Sequence, residues 1–171
     1  RTDGGTEFLM LNVHFEAAPY QPYQLCGIRY HDNAAFIKTE AEAIAHARAA
    51  RGREVDVLLA EVRANRREGE VVFVTGDFNE PSHLDWTAEA VAAGRCPVAV
   101  AWPGTRMLAE AGFVDAYRAV HPDPVAKPGL TWTNTTRPDD PNDRHDRIDF
   151  VMALGAAQVE AAAVVGESAE N

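Results

Sequence analysis

"VVFVTGDFNEPSH", residues 71–83, runs four apolar residues into a threonine and a glycine, then presents Asp77 and Asn79 two positions apart. A short continuous apolar run is the pattern of a central, buried strand, predicted here over Val71–Val74. Gly76 permits unusual backbone angles or close approach, which lets Asp77 project from the strand end. Two readings fit the polar pair. Asp and Asn are ordinary turn formers after a strand. Alternatively, the carboxylate ligates a hard cation or accepts a proton, and the carboxamide on the same side bonds a phosphoryl oxygen. The stretch alone leaves both open.

Working outward, a helical spacing over 34–50 (Ile37, Ala41, Ile44, Ala45, Arg48) follows a candidate N-cap at Asp32 or Asn33. Gly52 is expected to interrupt it. A second helix is expected from about Glu54 to Arg67, with Val55, Leu58, Leu59 and Val62 on one face. Helix followed by buried strand is the rhythm of an α/β (α+β) fold. Upstream, Asp3, Gly4 and Gly5 signal a hairpin turn before a strand over Phe8–Val13, and residues 16–33 read as a long loop. Downstream come amphipathic stretches at 84–93 and 105–111, a short strand at 130–133, and two strands at 147–154 and 158–165 joined at Gly155. No internal linker divides the chain, so residues 1–171 read as part of one domain.

The composition, 46% hydrophobic and 25% charged, is that of a soluble globular chain. No apolar run approaches the roughly 18 residues needed to cross a bilayer. The formal net charge of -10 argues against affinity built on neutralising many nucleic-acid phosphates. It is compatible with a site for divalent cations. Cys26 and Cys96 lack C-x-x-C spacing, so they are free buried thiols or, in an exported protein, one disulfide. The compartment and the oligomeric state are not readable.

Alternation in "LNVHF" puts Asn12 and His14 on one face of a strand and Leu11 and Val13 on the other. His14 is a satisfied structural histidine or a donor to a phosphate oxygen. In "RHDRIDF", Asp149 alternates with Ile148 and Phe150 and is predicted to face inward or toward a site. Asp146, at the strand mouth, is a solvated loop acid, a cap or a ligand. Asp139, Asp140 and Asp143 lack an EF-hand pattern and read as surface acids. After Asn79, Glu80 and His83 line a substrate mouth, or else Ser82 caps the next helix with Asp85 as its box partner. Tyr20, Tyr23, Trp86 and Trp102 read as core or loop anchors.

Taken in order, "NVH", "GDFN", "TWT" and "DRIDFV" resemble the endonuclease/exonuclease/phosphatase superfamily, over nearly the whole chain. The resemblance implies a four-layer sandwich of two packed β-sheets flanked by helices, and a metal-dependent phosphoesterase. It implies that His14 contacts the scissile phosphate and that Asp77 activates water or protonates the leaving group near the metal. Asn79 would position phosphate and aspartate, and Asp149, or Asp146, would orient a catalytic histidine. Asn12 and His83 would touch substrate, and Asp77 and Asp146 would hold Mg²⁺ (or Mn²⁺ or Ca²⁺). A small or lipid-linked phosphate ester is favoured over nucleic acid on charge. A nuclease and a non-catalytic binding module are the alternatives. The resemblance also implies that the chain is roughly the C-terminal half of the domain, lacking the family's metal-binding glutamate, its closing Ser-Asp-His and the last strand. Such a segment alone would not assemble a complete site.

Overall fold

The computed structural model describes residues 7–30, 33–133, 135–137 and 140–166. The proposed hairpin turn at Asp3–Gly5, the cap candidate Asp32 and Asp139 lie outside them. Strand β1 (Phe8–His14) leads through a short helix α1 (Gln21–Cys26) and a long helix α2 (Glu40–Asn65) to strand β2 (Val71–Asp77). β1 and β2 pair in parallel, so the two helices form the crossover that a parallel pair requires. Helices α3 (Ala88–Ala92) and α4 (Pro103–Glu110), the two-residue strand β3 (Val114–Asp115) and helix α5 (Ala116–Val120) come next, and β4 (Asp149–Leu154) closes the sheet. The strand order is β1-β2-β4-β3, with β4 antiparallel to both neighbours.

Helix α2 is one continuous helix across Gly52. A mid-helix glycine costs only about 1 kcal/mol relative to alanine. Against it stand a Thr39/Glu42 capping box and a buried stripe at Ala43, Ala47, Arg51, Val55, Leu58 and Val62. The cap is therefore Thr39, not Asn33, and Ala41, Ala45 and Arg48 face solvent rather than the core. The segment expected to be a loop contains α1. Its Pro22 sits in the first turn, where no amide hydrogen is missed, and Gly27 ends it in a left-handed conformation (φ 71°).

Val55, Leu58 and Val62 pack with Val72 and Val74 of β2, Phe150 and Met152 of β4 and Leu108 of α4 into the main core. Each such side chain contributes about 1.5–3 kcal/mol by leaving water. The opposite face of the sheet takes the alternate side chains, among them Phe8, Met10, Phe73 and Val151. Met10, Val114 and Val151 are exposed there.

Two expected strands do not form. Residues 130–133 make only an isolated bridge, Trp132 with Asp146, and 158–165 carry no strand. Ser82 does not cap a helix. α3 begins later, capped by Thr87, because Asp85 is drawn to Arg118 and Arg147 instead. Both cysteines are free, Cys26 exposed and Cys96 buried. The four aromatic anchors Tyr20, Tyr23, Trp86 and Trp102 are all buried.

Candidate functional site

Three strands deliver three polar side chains to one rung of the sheet. His14 ends β1, Asp77 ends β2 and Asp149 begins β4, and the register pairs His14 with Asp77 and Asp77 with Asp149. β4 runs antiparallel to the others, so its first residue lies beside their last. His14 Nε2 stands 3.6 Å from Asp77 Oδ2. Asn12, one rung in on the same face, accepts a hydrogen bond from the Thr75 hydroxyl at 3.0 Å. His14, Asn12 and Asp149 are exposed, whereas Ile148 and Phe150, flanking Asp149, are buried.

The Asp77–Asn79 turn is real. The Asn79 amide donates to Asp77 Oδ1 at 2.7 Å, closing a side-chain turn, and Asn79 adopts a left-handed φ of 47°. Its carboxamide is nearly buried and donates through Nδ2 to the Phe15 carbonyl at 2.8 Å. Gly76 has φ 129°, and a Cβ there would lie 1.9 Å from the Val13 carbonyl oxygen. Only glycine lets β1 and β2 meet this closely just before the polar rung.

Burial pushes the Asp77 carboxyl above the ordinary carboxylate range. The charge of Asp149 adds to that, while the Asn79 amide, His14 and Arg51 oppose it. A partly buried acid held near a second carboxylate is suited to moving a proton closer to neutral pH.

Asp146 is not in this rung. It is 3% exposed, and its carboxylate accepts from Tyr20 Oη (3.0 Å), Trp86 Nε1 (2.9 Å) and Arg144. Those donors engage both oxygens, the arrangement of a buried structural acid, and the structure does not bring Asp146, expected as a metal ligand, to the rung. His83 is half-buried and meets Thr105, whose hydroxyl oxygen lies 2.8 Å from its amide and 2.9 Å from Nδ1. Burial lowers its imidazole pKa below the ordinary value. Glu80 does not line a mouth either. It is 2% exposed and paired with Arg51. Among the described residues no group of three or more His, Cys, Asp or Glu is arranged around a common point. Asp77 and Asp149 nevertheless supply two hard oxygen donors side by side, which suits a cation that completes its shell with phosphate oxygens and water.

Sequence reasoning missed Thr131, whose hydroxyl oxygen accepts from the amides of Ile148 and Asp149, both at 3.1 Å, and so fixes the start of β4. It also missed Arg51, for which an arginine in a helical pattern gives no burial signal. A separate cleft of about 350 Å³, lined by Cys26, Cys96, Arg144 and Asp146 among others, contains none of the rung residues.

The profile of the Endonuclease/Exonuclease/phosphatase family matches residues 7–169. A Caenorhabditis elegans protein, named Uncharacterized protein F14F9.5, is 39% identical over 93 residues. That match covers 49% of this chain and 28% of the worm protein's own length. No solved structure gives a significant match.

Proposed function

The chain belongs to the endonuclease/exonuclease/phosphatase family, and from that premise we propose that this protein hydrolyses a phosphoester with the help of a divalent cation. Members of the family are generally metal-dependent phosphoester hydrolases and nucleases. The observation that carries the reading for this chain is the His14–Asp77–Asp149 rung, with Asn79 bonded to Asp77.

In this reading Asp77 holds the proton of the attacking water or returns one to the leaving group. His14, exposed beside it, donates to a phosphoryl oxygen. Asn79 keeps Asp77 oriented through its amide, and the carboxamide of Asn12 reaches the ester from the next rung. Asp149 stands ready to orient a further proton-carrying group. Asp77, with Asp149, would hold Mg²⁺ by carboxylate oxygens, and the cation would neutralise charge developing on the phosphoryl group. His83 keeps only a marginal place, since its contacts are with Thr105.

Exposed apolar side chains on the outer sheet face support the finer architecture of two facing sheets. Met10, Val114 and Val151 form an apolar surface of the kind a second sheet would bury. The net charge of -10 favours a small or lipid-linked ester over nucleic acid.

The test is turnover of the full-length protein on inositol phosphates, sphingomyelin, a generic phosphodiester and plasmid DNA, with and without Mg²⁺. Chelator-sensitive hydrolysis of a small or lipid ester that Asp77→Ala abolishes is expected. Nicking of DNA as the dominant activity would reverse the substrate ranking, and unchanged turnover in Asp77→Ala would sink the catalytic assignment.

A further inference from the structure

Arg51 lies mid-way along α2 and is 1% exposed. Its guanidinium donates to acceptors on two different chain segments. Nη1 donates to the carbonyl oxygens of Glu16 (3.1 Å) and Pro19 (3.2 Å), and Nη2 to Gln21 Oε1. Nε donates to Glu80 Oε2 at 3.4 Å. Residues 16–21 are the chain leaving β1 just after His14, and Glu80 comes directly after Asn79. Glu80 is held from its other side by the Gly104 amide, 2.6 Å from Oε1.

The same two exits touch each other directly. The Phe15 amide donates to the Asp77 carbonyl at 3.0 Å, and Asn79 Nδ2 donates to the Phe15 carbonyl. A buried ion pair is a poor stabiliser, because desolvating both charges offsets their attraction. Two apolar residues would fill the space as well. What they would not do is bond acceptors from both exits at once, which the planar fork of an arginine does.

We infer that Arg51, acting through Glu80 and the 16–21 segment, is a positioning residue that sets His14 against Asp77 and Asn79. Its catalytic consequence rests on the phosphoesterase reading. A displacement of about 1 Å between reacting groups costs roughly 100-fold in rate. Arg51→Lys keeps the charge and loses the fork, and Glu80→Gln keeps the shape and loses the charge.

Two measurements on the full-length protein, made well below the unfolding midpoint, test this. Steady-state kinetics should show kcat down by about 100-fold with KM little changed. Hydrogen exchange followed by NMR should show the Asn79 side-chain amide losing its protection. Folded variants that keep wild-type kcat, or that keep Asn79 protected, overturn the inference. Failure of both variants to fold also overturns it, by assigning the pair to stability. If the wild-type protein hydrolyses no ester, the enzyme reading fails on its own, and Asn79 protection still decides whether Arg51 sets the two exits.

Discussion

His14 and Asp77 occupy the same rung of the parallel β1–β2 pair, with Nε2 and Oδ2 3.6 Å apart at the open end of the sheet. Parallel pairing makes both strands end at the same level, so a basic and an acidic side chain arrive together without any dedicated loop.

The surroundings of Asp77 as a whole fix the expected pH behaviour. Burial and the neighbouring Asp149 raise the Asp77 carboxyl. A group whose folded pKa is raised contributes stability that is present at low pH and lost as pH rises. The ionised form at neutral pH is therefore a cost to folding and a need of catalysis. Asp77→Asn should lose about 10²–10⁴ in kcat/KM while keeping or slightly raising the urea midpoint at pH 7. In the wild-type protein without divalent cation, the Asp77 carboxyl followed by NMR should titrate above the ordinary carboxylate value of about 3.9, and added Mg²⁺ should bring it down.

Asp146 and Asp77 should separate cleanly in a metal titration. Asp146→Asn removes a buried acceptor shared by Tyr20, Trp86 and Arg144. It should cost about 3 kcal/mol or more of stability and leave Mg²⁺ affinity, followed by calorimetry, unchanged. Asp77→Asn should do the reverse. A loss of Mg²⁺ affinity in a folded Asp146→Asn protein would restore 146 to the ligand set.

Gly76→Ala should be among the most damaging small substitutions in the chain. The added methyl would meet the Val13 carbonyl at 1.9 Å in a backbone conformation (φ 129°) that L side chains avoid. We expect a loss of about 3 kcal/mol or more by denaturant unfolding, together with altered amide shifts on both β1 and β2. Gly94→Ala has open space at its Cβ and only the strain of its left-handed φ of 71°, so it should cost far less.

Arg147 is buried between two acids. It donates to Asp115 Oδ1 (3.0 Å) and Oδ2 (2.7 Å) and to both oxygens of Asp85. Burial alone would raise the Asp115 carboxyl, but Arg147, the Arg118 amide and the Ser82 hydroxyl bring it below its ordinary value. For an acid with a lowered folded pKa, stability is present above the unfolded value and lost as pH falls through the folded one. Stability should therefore drop below about pH 4, and Asp115→Asn should flatten that part of the curve. Arg147→Met should cost about 3–5 kcal/mol at pH 7 by leaving the buried Asp115 carboxylate without its cation, while Asp85 keeps Arg118.

Sequence patterning carried the sheet further than it carried the polar interior. The run Val71–Val74 and the alternation in 11–15 place β2 and the open-face positions of Asn12 and His14, because strand periodicity is local. The break expected at Gly52 failed because a capping box and a long buried stripe outweigh one glycine. Asp146 and Asp149 sit three residues apart with similar neighbours, yet one is buried and the other exposed. Their difference depends on Tyr20 and Trp86, which lie 126 and 60 positions from Asp146. Burial of Arg51 and Glu80 depends in the same way on partners that no window of sequence brings together.

The exposed apolar side chains on the sheet's outer face have a practical meaning for anyone handling this protein. Met10, Val114 and Val151 present a water-exposed apolar surface next to a seven-residue edge strand, β1, whose outer side has no partner among the described residues. Surfaces of that kind recruit copies of themselves. The protein should self-associate with increasing concentration, and light scattering should register it before any assay of chemistry does. Replacing Met10 and Val151 with lysine and threonine should yield a better-behaved sample without touching the polar rung beside them.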